Sequence, residues 1–337
     1  MTTAASTKPT RISWYRSPVS REDLAELNRR SNFKGFLQAG AYLGLLALTG
    51  TGACLSVGRL PWYLSVLAFY FHGTCCCFLI NGFHELVHDS VFRTRWLNRA
   101  FLWVHSFLGW YNHVFFWASH TEHHKYTLHQ PDDLEVVLPQ KLTLRGFLLS
   151  AFVDPIGLWR TWRETIRIAA GRLNGDWQTH LFTVVKPEER GAFHNWARIV
   201  LAGHLLIMVV CFSFGLWTIP LAVTCCRFYG AGLFMLCNNS QHIGLQDEVP
   251  DFRLCCRTII LNPFVRFLYW HMNYHTEHHM YAAVPCYNLG RLHRLIRDDL
   301  PQCPRGLIET WRQIGAIQRR QKEEPSYQYV AELPGRD

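Results

Sequence analysis

The chain has 337 residues, of which 49% are apolar, 14% aromatic and only 18% charged, and it carries a formal net charge of +9. That length would hold two soluble domains, but so little charge beside so much apolar side chain argues against a water-soluble protein and for one that keeps much of its surface in lipid. No P-loop, dinucleotide-binding glycine fingerprint or low-complexity segment occurs, so the chain does not read as a self-contained nicotinamide or flavin enzyme, and no nucleic-acid partner is expected.

Residues 1–34 are basic, with Lys8, Arg11, Arg16, Arg21, Arg29, Arg30 and Lys34. Within them SREDLAELNRR, from Ser20, opens with a capping pattern and alternates charge with Leu24 and Leu27, which predicts a short surface helix. Two runs free of Asp, Glu, Lys and Arg follow, residues 35–58 and 60–83. Each exceeds the roughly 20 residues a helix needs to cross ~30 Å of hydrocarbon. A second pair covers about 199–217 and 219–238, broken by Pro220 and interrupted only by Arg227. Very short connections make each pair a hairpin, so the prediction is an all-α integral membrane protein with four transmembrane helices in two hairpins. Both termini then lie on one face, whose excess of Lys and Arg marks it as cytoplasmic. The first run starts too late and lasts too long for a cleaved signal peptide and is expected to be retained. The charge is mainly a topology signal, with attraction to anionic lipid or to an acidic redox partner as a second use.

Between the hairpins, residues 98–118 are aromatic and apolar but contain His105 and His113. A crossing there would put the histidines on either side of it on opposite faces, so an interfacial or re-entrant helix pair is predicted. Residues 146–172 mix Phe, Leu and Trp with Arg160, Arg163, Arg167 and Arg172, which suits a helix lying on the membrane surface. From Gln318 the chain is polar, and a loosely ordered tail over 318–337 is expected behind a membrane catalytic domain over 35–317. The twelve cysteines fall mostly in predicted spans or on the reducing side and are expected to be free thiols. His72 and His204 are expected to be neutral and hydrogen-bonded between helices, and Arg227 either to snorkel or to face the bundle.

HELVHD, at His84 to Asp89, admits two readings. His84, Glu85 and His88 fit the His-Glu-x-x-His pattern of zinc peptidases, and the same pair would serve as one corner of a larger imidazole centre. HTEHH occurs twice, at His120 to His124 and His275 to His279, and NNSQH adds His242 four residues after Asn238. On a helix the first, fourth and fifth positions of such a box converge near one face. His84, His88, His120, His123, His124, His242, His275, His278 and His279 all fall just beyond the cytoplasmic ends of the predicted spans. Nine imidazoles are too many for one zinc, which takes three or four protein ligands. They suit two octahedral ions, and a redox function favours iron. A cytoplasmic helical cap holding a multi-histidine di-metal site is therefore predicted, and the peptidase reading is the weaker one because it leaves six or more boxed histidines unused.

HELVHD, WASHTEHH and NYHTEHHMYAAVPCYNL resemble the three histidine boxes of the membrane fatty acid desaturase and hydroxylase superfamily, over about residues 60 to 300, and Asn238 with His242 resembles its extra Asn and His. The resemblance implies a non-haem di-iron oxidoreductase using O2 and two electrons on an unactivated C–H bond of a lipid-like substrate. It also implies an electron donor, cytochrome b5 or ferredoxin with its reductase. The HPGG haem motif of a fused cytochrome b5 domain is absent, so the donor is expected to be separate. His275 stands where desaturases acting near the carboxyl end often have Gln. Desaturation of an acyl chain is the leading expectation; hydroxylation or ketolation of a carotenoid, terpenoid or small metabolite is the alternative. The membrane would be the endoplasmic reticulum in a eukaryote and the plasma membrane in a bacterium.

Glu85, Asp89, Glu122 and Glu277 lie inside the boxes but off the metal-facing stripe. They are expected to accept the distal N–H of ligand histidines, with surface salt bridges or caps as the alternative. Asp132 and Asp133 either orient a ligand or cap a helix. His105, His113, His129, His180, His194, His271 and His293 lack box partners and read as surface or packing residues. Trp117 and the aromatic segment around Trp110 line a substrate channel or form an interfacial belt.

Overall fold

The computed structural model describes residues 11–138 and 143–335, and every regular element among them is a helix. Among the described residues three helices are long and apolar enough to cross a membrane: Asn32–Ser56, Trp62–Val87 and Pro187–Ser213. The first two form the expected hairpin, turned at Gly58, whose φ of 76° is the left-handed conformation that glycine adopts without strain. His72 ties this hairpin to the later chain, with Nδ1 2.8 Å from Thr49 Oγ1 and Nε2 2.8 Å from the Ala222 carbonyl. Outward-facing Leu48, Leu55, Trp62, Val66 and Leu67, with Leu206, Val209 and Phe212 on the third helix, are exposed and give the bundle an apolar belt too large for a surface in water. Half of the second helix's apolar window (50%) is buried against 33% for the first and 17% for the third, so the second helix is the spine.

The expected fourth crossing, residues 219–238, is not one continuous helix. It is divided into Thr218–Val223, a 3-10 turn at Cys226–Phe228 and Gly232–Asn238. Gly230 marks the break: its φ is 74°, and a Cβ there would lie 2.6 Å from both the Thr74 amide nitrogen and the Tyr70 carbonyl oxygen of the spine. Only glycine permits so close a backbone approach. The same break turns Arg227 into the bundle, where it donates to Thr161 Oγ1 at 3.1 Å and lies over the rings of Tyr111 and Phe228 at 4.8 and 4.7 Å. An apolar run in the sequence cannot reveal such a break, because hydropathy does not register backbone-to-backbone contact.

Residues 95–126 fold as a helix pair, Arg95–Leu108 and His113–Tyr126, each of 14 residues and too short to cross. Asn112 caps the second of them, its Oδ1 accepting from the Val114 and Phe115 N–H groups at 3.2 Å. The pair is anchored by His204, which contacts Thr224 Oγ1 at 3.1 Å and the Phe107 carbonyl at 2.9 Å between the rings of Phe107 and Trp110. The surface segment is two amphipathic helices, Leu144–Ala151 and Pro155–Ala169, the latter capped by Asp154 through the Gly157 N–H at 2.8 Å. The polar tail is not loose: Gly306–Glu323 is a helix, and beyond it the Tyr329 N–H donates to the Gly244 carbonyl at 2.8 Å. Its docking partner is the loop after Asn238, which no local pattern in the tail announces. Among the described residues all twelve cysteines are free thiols, as expected.

The spine reaches the histidine boxes through a tight contact at Gly82, where a Cβ would meet Trp270 ring atoms at 2.5 Å and His105 Cδ2 at 2.7 Å. Both obstacles are rigid rings. Gly82→Ala is expected to lower stability by about 1–3 kcal/mol, read as a fall in thermal midpoint, and to lower bound metal because the turn carrying His84 must shift. Gly52→Ala, with open space around it, is the matched control.

Candidate metal centre

Each box is placed by a short helix. His84 sits in the last turn of the spine and His88 caps that helix; His120, His123 and His124 project from His113–Tyr126; His275, His278 and His279 belong to the short helix His275–Met280. His242 lies in the turn after Gly232–Asn238, fixed by a 2.8 Å contact between its Nδ1 and the Cys255 carbonyl. These elements, scattered over nearly 200 positions of sequence, converge on one buried volume in which the side chains form two groups of possible ligands. One contains His84, His88, His120, His124 and His278, and the other His242, Cys256, His275 and His279; within each, the donor atoms lie within 4.8 Å of one another. The two poles adjoin, since the rings of His124 and His279 are 4.6 Å apart. His123 is in neither group, but its ring lies 5.0 Å from that of His279 and 5.6 Å from that of His242, beside the second pole.

The spacing of the nitrogens tests whether metal ions fit. Nε2 atoms are 2.9 Å apart for His120 and His124, 3.2 Å for His124 and His278, 2.9 Å for His242 and His275, and 3.2 Å for His275 and His279. Ligands at about 2.1 Å from one ion at right angles stand about 3.0 Å apart. The contacts therefore match edges of a coordination polyhedron. His88 Nε2 is buried without a hydrogen-bond partner, as a ligand atom awaiting an ion would be. Burial lowers the pKa of His88 to about 4 and, with the charge of His123, that of His242 to about 3. At neutral pH both are the uncharged imidazole that metals bind.

Three carboxylates hold the distal nitrogens. Glu85 Oε1 lies 3.3 Å from His84 Nδ1 and 3.5 Å from His278 Nδ1, so one buried acid spans the first and third boxes. Asp133 accepts from His123 Nδ1 at 2.8 Å and from the backbone N–H groups of Leu128 and Glu135 at 2.8 and 2.9 Å. Burial works to raise the pKa of Asp133, but the charge and hydrogen bond of His123 and those two N–H groups hold it below the usual carboxylate range. Glu135 Oε1 lies 2.8 Å from His120 Nδ1, and its other oxygen accepts from the Ser119 hydroxyl at 2.6 Å. Burial pushes this carboxyl up to about 7 against the opposing pull of His123 and Ser119. Thr127 Oγ1 stands 3.3 Å from His279 Nδ1. Anchors of this kind fix tautomer and ring orientation and leave Nε2 for a metal.

The other expected carboxylates sit elsewhere. Glu122, itself buried, pairs with Lys125 Nζ at 2.7 Å one turn along the same helix, and Glu277 holds His293 Nδ1 at 2.5 Å and the Thr258 hydroxyl. Among the described residues neither bonds any of the nine imidazoles. Glu277 instead pins the third box helix, which gives His293 a structural role. Asp89 adopts a φ of 55° at the end of the spine and lines a cavity that Trp117 separates from His88. Asn238 ends its helix and makes no side-chain hydrogen bond among the described residues. Glu135 was missed by sequence reasoning. Its signal was the acid-rich run HQPDDLE directly after the second box, where Asp133 and Glu135 are spaced to reach back to the helix they follow.

The residues so assembled define a histidine-rich metal centre at the end of a membrane bundle. The family model for the fatty acid desaturases matches residues 60–311, and the chain belongs to that family. No curated protein matches it. Family and imidazole clusters together fit a membrane di-iron oxidoreductase.

Glu135→Ala is expected to weaken metal binding by about 10–100-fold, measured as metal retained across a chelator series, whereas Glu122→Ala leaves retention at the wild-type level. A second expectation concerns pH. His88 and His242 titrate below the ordinary 6.5 when folded, so the unfolded chain takes up protons first. The metal-free protein should hold its stability at neutral pH and lose it as pH falls from about 6.5 through 4 towards 3, followed by thermal unfolding at a series of pH values.

Proposed function

We propose that the protein is a di-iron, O2-dependent oxidoreductase that desaturates an acyl chain or a similar apolar substrate. The observation that carries this reading is the convergence of the boxed imidazoles and His242 on two adjoining poles with ligand-like nitrogen spacing. Iron bound there would supply O2 activation and removal of hydrogen from an unactivated C–H bond. The chain's own residues do the positioning: Glu85, Asp133, Glu135 and the Cys255 carbonyl hold the imidazoles, and the packed rings keep water from the poles. Asn238, four residues before His242, is proposed to hold a water beside the second pole.

A substrate needs a place next to this centre. A cavity of about 400 Å³ has Leu86, Val87, Leu102, Val114 and Trp117 in its lining and Asp89, Arg99 and Lys186 among its polar groups; no boxed imidazole lines it, and Trp117 stands between it and His88. That size and mixture suit an apolar chain with a polar end. The Trp117 ring stands 6.1 Å from that of His88, which favours the channel reading of this residue over the interfacial belt. A peptidase is disfavoured because Glu85, which would have to activate water, lies against His84 and His278.

The proposed topology keeps the centre cytoplasmic, supported by Arg93, Arg95 and Arg99 just beyond the box end of the spine and by the basic segment before the first helix. The broken stretch 218–238 would complete a fourth crossing in pieces. Electrons would come from a separate cytochrome b5 or ferredoxin with its reductase.

The test is mass spectrometry of lipids and metabolites from cells expressing wild type or His123→Ala under isotope-labelled O2. A new double bond without the label, absent from the variant, is the expected result. A labelled product would make the enzyme a hydroxylase or ketolase. Purified protein holding one zinc and cutting peptides would reject the oxidoreductase reading.

A further inference from the structure

One stretch remains without a task in this scheme. Residues 13–17, SWYRS, precede the first helix yet lie against loops from the far end of the chain. Trp14 Nε1 donates to the Lys125 carbonyl at 2.9 Å, the Tyr15 N–H to the Pro250 carbonyl at 2.9 Å and the Tyr15 hydroxyl to Asp299 at 2.9 Å. The Arg253 guanidinium covers the Tyr15 ring at 3.8 Å, and the Tyr281 hydroxyl donates to the Ser17 carbonyl at 2.6 Å. Such dense anchoring of an irregular segment fixes one object in particular, the indole of Trp14. It is half-buried and stacks on Phe252, with centroids 4.1 Å apart and planes 10° from parallel. Phe252 is fully buried, and its ring lies 5.4 Å from that of His279. His279 Nε2 is 3.2 Å from His275 Nε2 in the second pole. A surface indole is thus joined through one buried ring to an imidazole of the metal centre, with packed contact at each step.

We infer that the face around Trp14 docks an acidic one-electron carrier protein and that electrons enter the second pole along Trp14, Phe252 and His279. This rests on the di-iron reading. Each encounter moves one electron from the carrier's reduced centre to a metal ion held by the pole: the carrier is oxidised, the ion is reduced, and no bond forms or breaks. Two encounters supply the pair of electrons. The rings are a packed medium and are not themselves oxidised; tunnelling falls steeply across gaps, so continuous contact is what they provide. The sign of the partner follows from charge. Arg11 and Arg16 flank Trp14 in the chain and are exposed. Of the nearby acids, Asp299 is held by Arg253 and Tyr15, Asp251 by Arg253, Glu122 forms a neutral pair with Lys125, and the exposed Asp298 lies 3.5 Å from Arg297. A transient redox contact needs less than about 1,200 Å², and a few cations around one aromatic anchor suffice to steer it.

The experiment uses the full chain in detergent and the soluble haem domain of cytochrome b5 or a reduced plant-type ferredoxin as the probe. Binding of the oxidised carrier to metal-free protein is measured first. Trp14→Leu is expected to weaken it about tenfold, as loss of a central aromatic anchor does. In the iron-loaded protein, Trp14→Leu should slow reoxidation of the reduced carrier at least as much, Trp14→Phe should restore most of the rate, and reduction by dithionite should be unchanged. The Arg11→Gln, Arg16→Gln double variant should lower the carrier's association rate about tenfold at low salt, with the difference vanishing at high salt. Loss of iron, or equal slowing with dithionite, in Trp14→Leu would make the segment a structural clasp and overturn the inference, as would carrier binding and rates unmoved by every variant. A wild-type protein that holds no reducible iron would overturn the di-iron reading itself, a distinct failure.

Discussion

Burying nine imidazoles in one volume with no positive charge but that of His123, which Asp133 balances at 2.8 Å, is the constraint around which this protein is built. Each ring has two nitrogens, and in a buried site both need partners. For His120, His123 and His242 the outer nitrogen is taken by Glu135, Asp133 and the Cys255 carbonyl, which leaves the inner one turned to its neighbours at 2.9–3.2 Å in the pairs that touch. Protonation would place like charges within that distance in a medium of low dielectric, so the touching pairs are stable only as neutral rings sharing cations. The outer partners are therefore as necessary as the ligands. They explain why Asp133 is buried in an acid-rich run whose Gln130 and Pro131 stay exposed.

The membrane helices serve this cluster by supplying a rigid base. The spine is the most enclosed of the three long helices and ends directly in the first box, so its position sets that of His84 and His88. Glycines at 73, 82 and 230 let tyrosine, tryptophan and backbone approach it too closely for any side chain to intervene. The broken stretch from Thr218 to Asn238 leads into the turn that carries His242 to the second pole. Within the proposed mechanism the two poles have different neighbours: the cavity across Trp117 from His88 serves the substrate, and the anchored indole beside His279 serves the reductant. Separation of the two approaches keeps a bulky electron carrier away from the apolar cavity.

Much of this was legible in the sequence because its signals are local or compositional. Uncharged runs of sufficient length identify the first hairpin, helical spacing of the boxed histidines places the metal-facing stripes, and repetition of HTEHH announces a shared centre. All nine boxed histidines come together or adjoin the two poles, and the chain falls in the family its motifs resemble. Hydropathy and periodicity report what one stretch of chain prefers irrespective of its neighbours, and for those features the preference was enough.

Tertiary structure decided the rest. Which partner an acid inside a box finds depends on what packs around it, so Glu85 reaches His84 and His278, while the buried Glu122 pairs with Lys125 on its own helix and Glu277 goes to His293 and Thr258. Glu135 became a partner of His120 because the loop at Pro131 folds back, and the run 219–238 was interrupted because its backbone meets the spine at Gly230. The polar tail is ordered by Gly244, some 85 residues earlier in the chain. Apart from the local pairs of Glu85 with His84 and of Glu122 with Lys125, the energy lies in contacts between segments separated in sequence. Residue types along one segment set its own helix and its own affinity for lipid, but they carry no record of what it will touch.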